Sequence, residues 1–425
     1  MVRSCSVGWA VIILCLAAPV EARAAEPSND ELVTIVARVV DTHPAVVAAR
    51  SNLAAAESDL EGSKWSRYPG LTVEGFADGR DNGRVTTVVS LEQPLWSAGR
   101  ITAGISQADA RVDAARAGVD EAALDLALRA SIAYVEYQRL QARDRIYDES
   151  VQEHTRLVDS IQRRVEQQIS AESDAAYALQ RLLTVQQEQT QNQVAARLAL
   201  SRLRELTGTE DLEVKAVLRF APQEHQPSPE GLLRAALDFS PLSRRLRAEI
   251  DAAVAETAVR KAQIWPQLNL QAAHYSGGST GGLGTRVGLV MRVQTDGGLS
   301  RLSAVRSAEQ RENAVRSAAD SALRDVREQV MADLSENAAA GSRVDLGTRA
   351  TAAARTVTDS YLRQFTAGRR SWPEVLNVVR EGLVARIVEV DAQASAMSSA
   401  LRLRLRTGDW RPGTRPPGAA VGAVP

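Results

Sequence analysis

Apolar positions along this chain change their period several times, and those changes divide it into elements. Residues 31–64 carry helical spacing, with Leu53 and Leu60 on the apolar face and an interruption at His43-Pro44. Proline fits the first turn of a new helix there. Tyr68-Pro69-Gly70 ends the pattern. Two extended segments follow, Leu71–Asp78 and Val85–Gln93, around the turn-forming run Asp78-Gly79-Arg80-Asp81-Asn82-Gly83. Asp-Gly and Asn-Gly between extended residues predict a hairpin. After Trp96-Ser97-Ala98-Gly99, a helical pattern runs without proline for roughly 70 residues, about 100 Å of α-helix. Within it Ile101, Ile105, Ala108, Val112, Ala115, Val119, Ala122 and Leu126 alternate in steps of four and three, the spacing of a coiled-coil seam. An antiparallel helix is predicted at about 174–206, after a turn near Ile169-Ser170.

The same order then repeats. Pro44 in His43-Pro44-Ala45 is echoed by Pro241 in Ser240-Pro241-Leu242, and Leu206-Thr207-Gly208 by Arg406-Thr407-Gly408. The separation of about 200 residues far exceeds solenoid periods, so each copy is half a protein. In the second half Ile264-Trp265-Pro266 breaks the helix, and strands are predicted at Gln267–Tyr275 and Thr285–Gln294 around a glycine-rich loop. Alternation is clear here. Leu268, Leu270 and Ala272 face away from Asn269 and Gln271, and Val287, Leu289, Met291 and Val293 away from Arg286, Gly288 and Arg292. Apolar-out, polar-in strands of this length suit a membrane barrel, with Arg286 and Arg292 facing its lumen, although a half-buried hairpin fits the same alternation. Another long helix launches from Thr295-Asp296-Gly297-Gly298, with Val315, Ala319, Ala322, Val326 and Val330 along it. Its antiparallel partner is expected at about 372–405, after a turn near Ala367-Gly368.

The resulting organisation is a signal peptide at 1–24, a first half at 25–208, a linker at 209–239 containing a short helix at 230–237, a second half at 240–408 and a disordered tail at 409–425. Arg3, the apolar run Val7–Ala18 and Ala22-Arg23-Ala24 form the export signal. Leu14 before Cys15 argues against lipidation. Both cysteines, Cys5 and Cys15, lie in that segment, so the exported chain has no thiol chemistry. Acidic residues balance the arginines to a net charge of −1, which argues against nucleic-acid binding. Aromatic residues make up only 4% of the chain and alanine dominates its apolar fraction, which suits closely packed long helices. No nucleophile–base pair, metal cluster or phosphate loop stands out, and His154, His225 and His274 are dispersed, read as loop or surface residues. An enzyme, a metal site and a bound cofactor are therefore not expected. Trp96, Trp265 and Tyr68 sit beside the hairpins, where an interfacial belt or packing beneath a barrel would both place them.

The strand count forces an oligomer. Beyond the signal no segment is apolar enough for a spanning helix, so a membrane span must be a β-barrel. Four strands cannot close one, because single-chain barrels need at least about eight. Copies must pool their strands, and three copies leave more room for a water-filled passage than two.

Two halves of helix, hairpin, long helix and helix, behind a signal peptide, resemble the TolC family of outer-membrane channels. The junction Gln93-Pro94-Leu95-Trp96-Ser97-Ala98-Gly99-Arg100 and the tip Phe365-Thr366-Ala367-Gly368-Arg369-Arg370-Ser371-Trp372-Pro373-Glu374-Val375-Leu376-Asn377 carry the likeness, which spans the chain from the signal to the tail. The resemblance implies a mainly α fold with membrane β-barrel strands: a homotrimer with a 12-stranded barrel in the outer membrane, continued by a helical tunnel in the periplasm. It also implies a periplasmic adaptor and an inner-membrane transporter as partners. By the family's pattern, Glu374 and Asn377 form the constricting ring of a periplasmic gate, and Asp174, Phe365 and Arg370 its latch. Asn377 stands where the family has an acid and Phe365 where it has a tyrosine, which implies a weaker ring and a latch resting on Arg370 and Asp174. On the barrel, Asn269, Gln271, Arg286 and Arg292 are the expected lumen residues. The tip, with Ser360-Tyr361-Leu362-Arg363-Gln364 before it, looks closest to the type I secretion branch. Drug efflux is the alternative, and a periplasmic adaptor fits less well because its single hairpin lacks the duplication.

Overall fold

A computed structural model describes residues 30–77, 85–215, 228–276, 284–293 and 300–412. The signal segment with its cysteines, the turns expected at 78–83 and 295–298, most of the glycine loop, His225, Gln294, residues 216–227 of the linker and the tail beyond 412 lie outside the described residues.

The described chain runs α1 (Asp30–Thr42), α2 (Pro44–Trp65), β1 (Gly70–Ala77), β2 (Val85–Trp96), α3 (Arg100–Glu166), α4 (Glu172–Thr207), α5 (Pro229–Phe239), α6 (Pro241–Ala262), β3 (Gln267–Ser276), β4 (Gly284–Arg292), α7 (Ser300–Thr366) and α8 (Trp372–Thr407). The two halves match helix for helix: α2 and α6 have 22 residues each, α3 and α7 have 67, and α4 and α8 have 36. Their starts and ends are built alike. Pro44 and Pro241 occupy first turns, behind His43 and Ser240, whose side chains accept hydrogen bonds from the Ala45 and Ser243 amides at 3.1 and 3.2 Å. Each cap satisfies a backbone donor that the helix leaves free. Gly208 and Gly408 end α4 and α8 in the left-handed region, with φ of 63° and 78°. Gly408 also leaves no room for a side chain, since an added Cβ would lie 2.5 Å from the Phe239 ring.

At about 1.5 Å per residue α3 and α7 each extend roughly 100 Å. Neither has a single partner. The first part of α3 lies against α2, where Leu60, Ala108 and Val112 are buried together. It also lies against α6, through Arg245–Glu121 at 2.6 Å and Arg244–Asp120 at 3.0 Å. Its second part pairs with α4. The lower part of the expected seam, Ile105, Ala108 and Val112, thus serves α2, while Val119, Ala122 and Leu126 join the central core with α1, because α4 is only about half as long as α3.

The largest core lies at the middle of the long axis. There α1 inserts Leu32, Ile35, Val36 and Val39 among Tyr134, Leu203, Leu405 and Trp410. Each such side chain contributes roughly 1.5–3 kcal/mol on burial. Trp410 is fully buried, so ordered packing continues past residue 409, where the tail was expected to begin. Beside this core α5 packs Ala236 against Val330, Leu334 and Leu403.

The sheet is four antiparallel strands in the order β1-β2-β3-β4. Its middle pair joins the two halves, with Leu91 opposite Ala272 and Glu92 opposite Gln271. A register irregularity at Pro94/Trp96 absorbs the proline, which has no N–H to give the ladder. β1 and β4 each keep one open edge within the protomer.

Candidate gate and conduit surfaces

Alternation along the sheet separates two faces. One carries Leu71, Val73, Val287, Leu289 and Met291, each more than 60% exposed. The other carries Thr72, Glu74, Ser90, Glu92, Asn269, Gln271, Arg286 and Arg292, by the pairing register. Asn269 and Ala273 on this polar side are only 6% exposed, which makes it the crowded, concave one. All four expected lumen residues share it. Arg292 pairs with Glu92 at 3.3 Å, and Asn269 donates to the same carboxylate. Arg286 instead stacks its guanidinium 5.6 Å over the Tyr275 ring. Just below the strands, Trp65, Tyr68, Trp96 and Trp265 are 49–62% exposed.

At the opposite end the two helical hairpins turn. The α7–α8 turn closes through Gly368 at φ 71°, with the Arg369 amide bonding back to the Gln364 carbonyl at 2.9 Å. Ser371 and Glu374 then cap α8 reciprocally, Glu374 accepting from the Ser371 amide at 3.0 Å. That amide, with the Ser371 hydroxyl and Arg370 adding to it, lowers the Glu374 carboxyl below its ordinary value. Arg370 is occupied within its own hairpin: its Nε donates to Gln364 at 3.1 Å, its Nη1 meets Glu374 at 3.3 Å, and its plane lies 4.6 Å over Tyr361. Asp174 stands in the first turn of α4, three residues after Ala171, as Glu374 stands after Ser371. The two acids therefore occupy equivalent positions of the repeat. Among the described residues, the protomer contains no ion pair between Arg370 and Asp174.

Phe365 meets Trp372 ring to ring at 4.4 Å and carries the Arg164 guanidinium at 5.0 Å. Without a hydroxyl, Phe365 is a hydrophobic clasp between the tips. Trp372, Val375, Leu376 and Val379 of α8 are buried with Val158 and Ile161 of α3 and Ala178 and Leu182 of α4. Glu374 and Asn377 remain exposed on the other side of α8. Arg164 was not legible as part of this site; its only signal is its place 200 residues before Gln364 in the duplication.

Above the tips α3 and α8 are tied by Arg139 and Arg143 to Asp391, the Arg139 bond being 3.0 Å, and by Arg386 to Glu149. Glu149 and Arg386 also line a cavity of about 340 Å³ with Ser150, Glu153, Thr351 and Asp359. Burial, reinforced by Asp359, raises the Glu153 carboxyl above its ordinary value against the opposing pull of His154 and Arg386. His154 is 2% exposed, with Nδ1 2.8 Å from the Ser150 carbonyl, contrary to the surface role expected for it. Its position on the inward face of α3 explains this. His274 is exposed on β3, with Nδ1 3.0 Å from the Thr285 hydroxyl. Among the described residues no cluster of metal-ligating side chains occurs and no single helix is long and apolar enough to cross a membrane.

Residues 36–209 match the family described as outer membrane efflux protein. Solved structures share the fold. VceC from Vibrio cholerae superposes with a TM-score of 0.78 at 17% identity, over 89% of this chain and 96% of that one. The outer-membrane channel OprN gives 0.73 at 22%, over 89% and 90%. The CmeC outer membrane channel from Campylobacter jejuni gives 0.75 at 12%, over 91% and 87%. No curated protein matches.

Proposed function

We propose that this chain, whose residues 36–209 match the outer membrane efflux protein family and whose fold is shared by VceC and OprN, is a passive outer-membrane channel with a helical tunnel in the periplasm, the exit duct of a tripartite export system. The observation that carries this reading is the unfinished sheet. Four strands with an apolar convex face and two open edges cannot stand alone in lipid. Three copies supply twelve strands, enough for a water-filled barrel, and the helices prolong it by roughly 100 Å. Energy for transport comes from an inner-membrane transporter, coupled through a periplasmic adaptor. The duct opens and closes at the hairpin tips. Glu374 and Asn377 ring the mouth, while Arg370, Phe365 and Asp174 hold neighbouring hairpins together.

For cargo, the tip sequence from Ser360 to Asn377 favours protein substrates of type I secretion. The family description favours small-molecule efflux as the second reading. Deleting the gene separates them: loss of a secreted protein from the medium supports the first, and greater sensitivity to toxic small molecules supports the second. Purified trimers in a planar bilayer test the duct itself, and a periplasmic monomer without conductance overturns it. Arg370→Ala with Glu374→Ala is expected to raise single-channel current, and an unchanged current removes both residues from the constriction.

A further inference from the structure

The open edges of the sheet allow the seam between copies to be worked out residue by residue; this rests on the trimeric barrel proposed above. Barrel strands lie about 4.8 Å apart, rise about 3.3 Å per residue and tilt by about 35–45°. For ~12 strands that tilt requires a register slip of roughly 12–18 residues around the circumference. Three identical seams share it equally. Each seam must slip by an even number, because an odd slip would turn the concave face outward. That leaves ~4 or ~6 residues per seam.

The register inside the protomer fixes what this means. The row through Gly288 crosses Gln271 and Glu92 and starts at Gly70. A slip of ~4 residues brings that row back to Glu74 of the next copy. It also sets the whole of β1, Gly70–Ala77, against β4, whereas the opposite direction would set β4 against the end of α2. A slip of ~6 residues would bring Glu74 beside Arg292, which already pairs with Glu92. A slip of ~4 brings it beside Arg286, which has no carboxylate partner among the described residues of its own protomer. Glu74 likewise has no ion pair there. Both side chains lie on the concave face. Gly288 leaves open space between Arg286 and Val290, with nothing within 4 Å of where its Cβ would be. A diagonal cross-strand neighbour at about 7–8 Å is within reach of an arginine.

We propose that Glu74 of each protomer lies opposite Gly288 of the next and pairs with its Arg286, so that three such pairs set the register in which the barrel closes. The acid is then part of the subunit seam, and the arginine is neutralised there and does not impose anion selectivity on the lumen.

Cysteine cross-linking in the full-length chain tests the register, since its only cysteines, Cys5 and Cys15, precede the described residues. Glu74→Cys with Gly288→Cys should give disulfide-linked trimers on non-reducing gels, because opposed strand positions lie within disulfide reach. Glu74→Cys with Leu289→Cys, on opposite faces, should not. Native-sized trimers of the first variant that fail to link overturn the seam while leaving the channel reading intact. A wild-type chain that forms no trimer overturns the channel reading instead. Charge reversal gives an independent arm should the cysteine variants misfold. Arg286→Glu should raise the monomer fraction after mild heating about tenfold, through like charges at three seams. Glu74→Arg added to it should restore the trimer. Failure of the double variant to recover overturns the pairing.

Discussion

The two hairpin tips have the same backbone and different chemistry. Both close by a bond spanning five residues, Ile169 to Arg164 at 2.8 Å and Arg369 to Gln364 at 2.9 Å. Both need a left-handed residue one position earlier, with φ of 61° at Gln168 and 71° at Gly368. The second tip supplies glycine, a serine–glutamate capping box and an inserted tryptophan. The first supplies glutamine, an alanine without a side-chain cap, and the exposed Glu172 where the other has Trp372. Duplication copied the turn, and only the second copy carries the residues that make it cheap to form and well anchored. The second hairpin therefore supplies both rings, Phe365 and Trp372, of the clasp that holds the two tips against each other.

The largest test of this difference is Trp372→Ala. Emptying that site should cost about 3–5 kcal/mol of local stability, seen as lost hydrogen-exchange protection at both tips, because Trp372 packs on α3 and α4. Loss confined to α7–α8 would show that the tips are independent. Gly368→Val should cost about 1–2 kcal/mol at a left-handed position. Gln168→Gly should be stabilising, by relieving the left-handed penalty net of glycine's added chain entropy, and thermal unfolding that moves in the same direction for both variants would refute the comparison. Ser371→Ala should cost about 1 kcal/mol by removing the cap, and Ala171→Ser should recover part of that on the first hairpin. The smallest effect concerns the seam above the tips. Glu153 is held above its ordinary carboxyl value by burial, so its protonated form stabilises the packed state. That contribution is complete in acid and is lost as pH rises through the raised value. Glu153→Gln should therefore flatten the pH dependence of hairpin docking and stabilise it at neutral pH. An unchanged profile would place Glu153 outside this linkage.

The duplicated order of elements, the strand alternation and the long helices were legible in sequence, because helical and extended periods are local properties of the chain. That Asn269, Gln271, Arg286 and Arg292 share one face of the sheet was legible for the same reason: a period of two places residues on one face whatever they pack against. The separation of His154 from the surface was not, because a lone polar residue in an alanine-rich helix carries no sign of which neighbour covers it. The partners of α3 were hidden too. A seam of fours and threes announces a contact without saying which helix makes it.

By itself, then, the sequence determined the elements, their equal lengths in the two halves and the sidedness of the sheet, since each depends on residues a few positions apart. Tertiary structure alone decided that α2 and α6 share the first part of α3. It alone put Arg370 on its own hairpin and brought Arg164 to Phe365. These depend on how rods roughly 100 Å long lie side by side, and that packing brings together residues 201 positions apart.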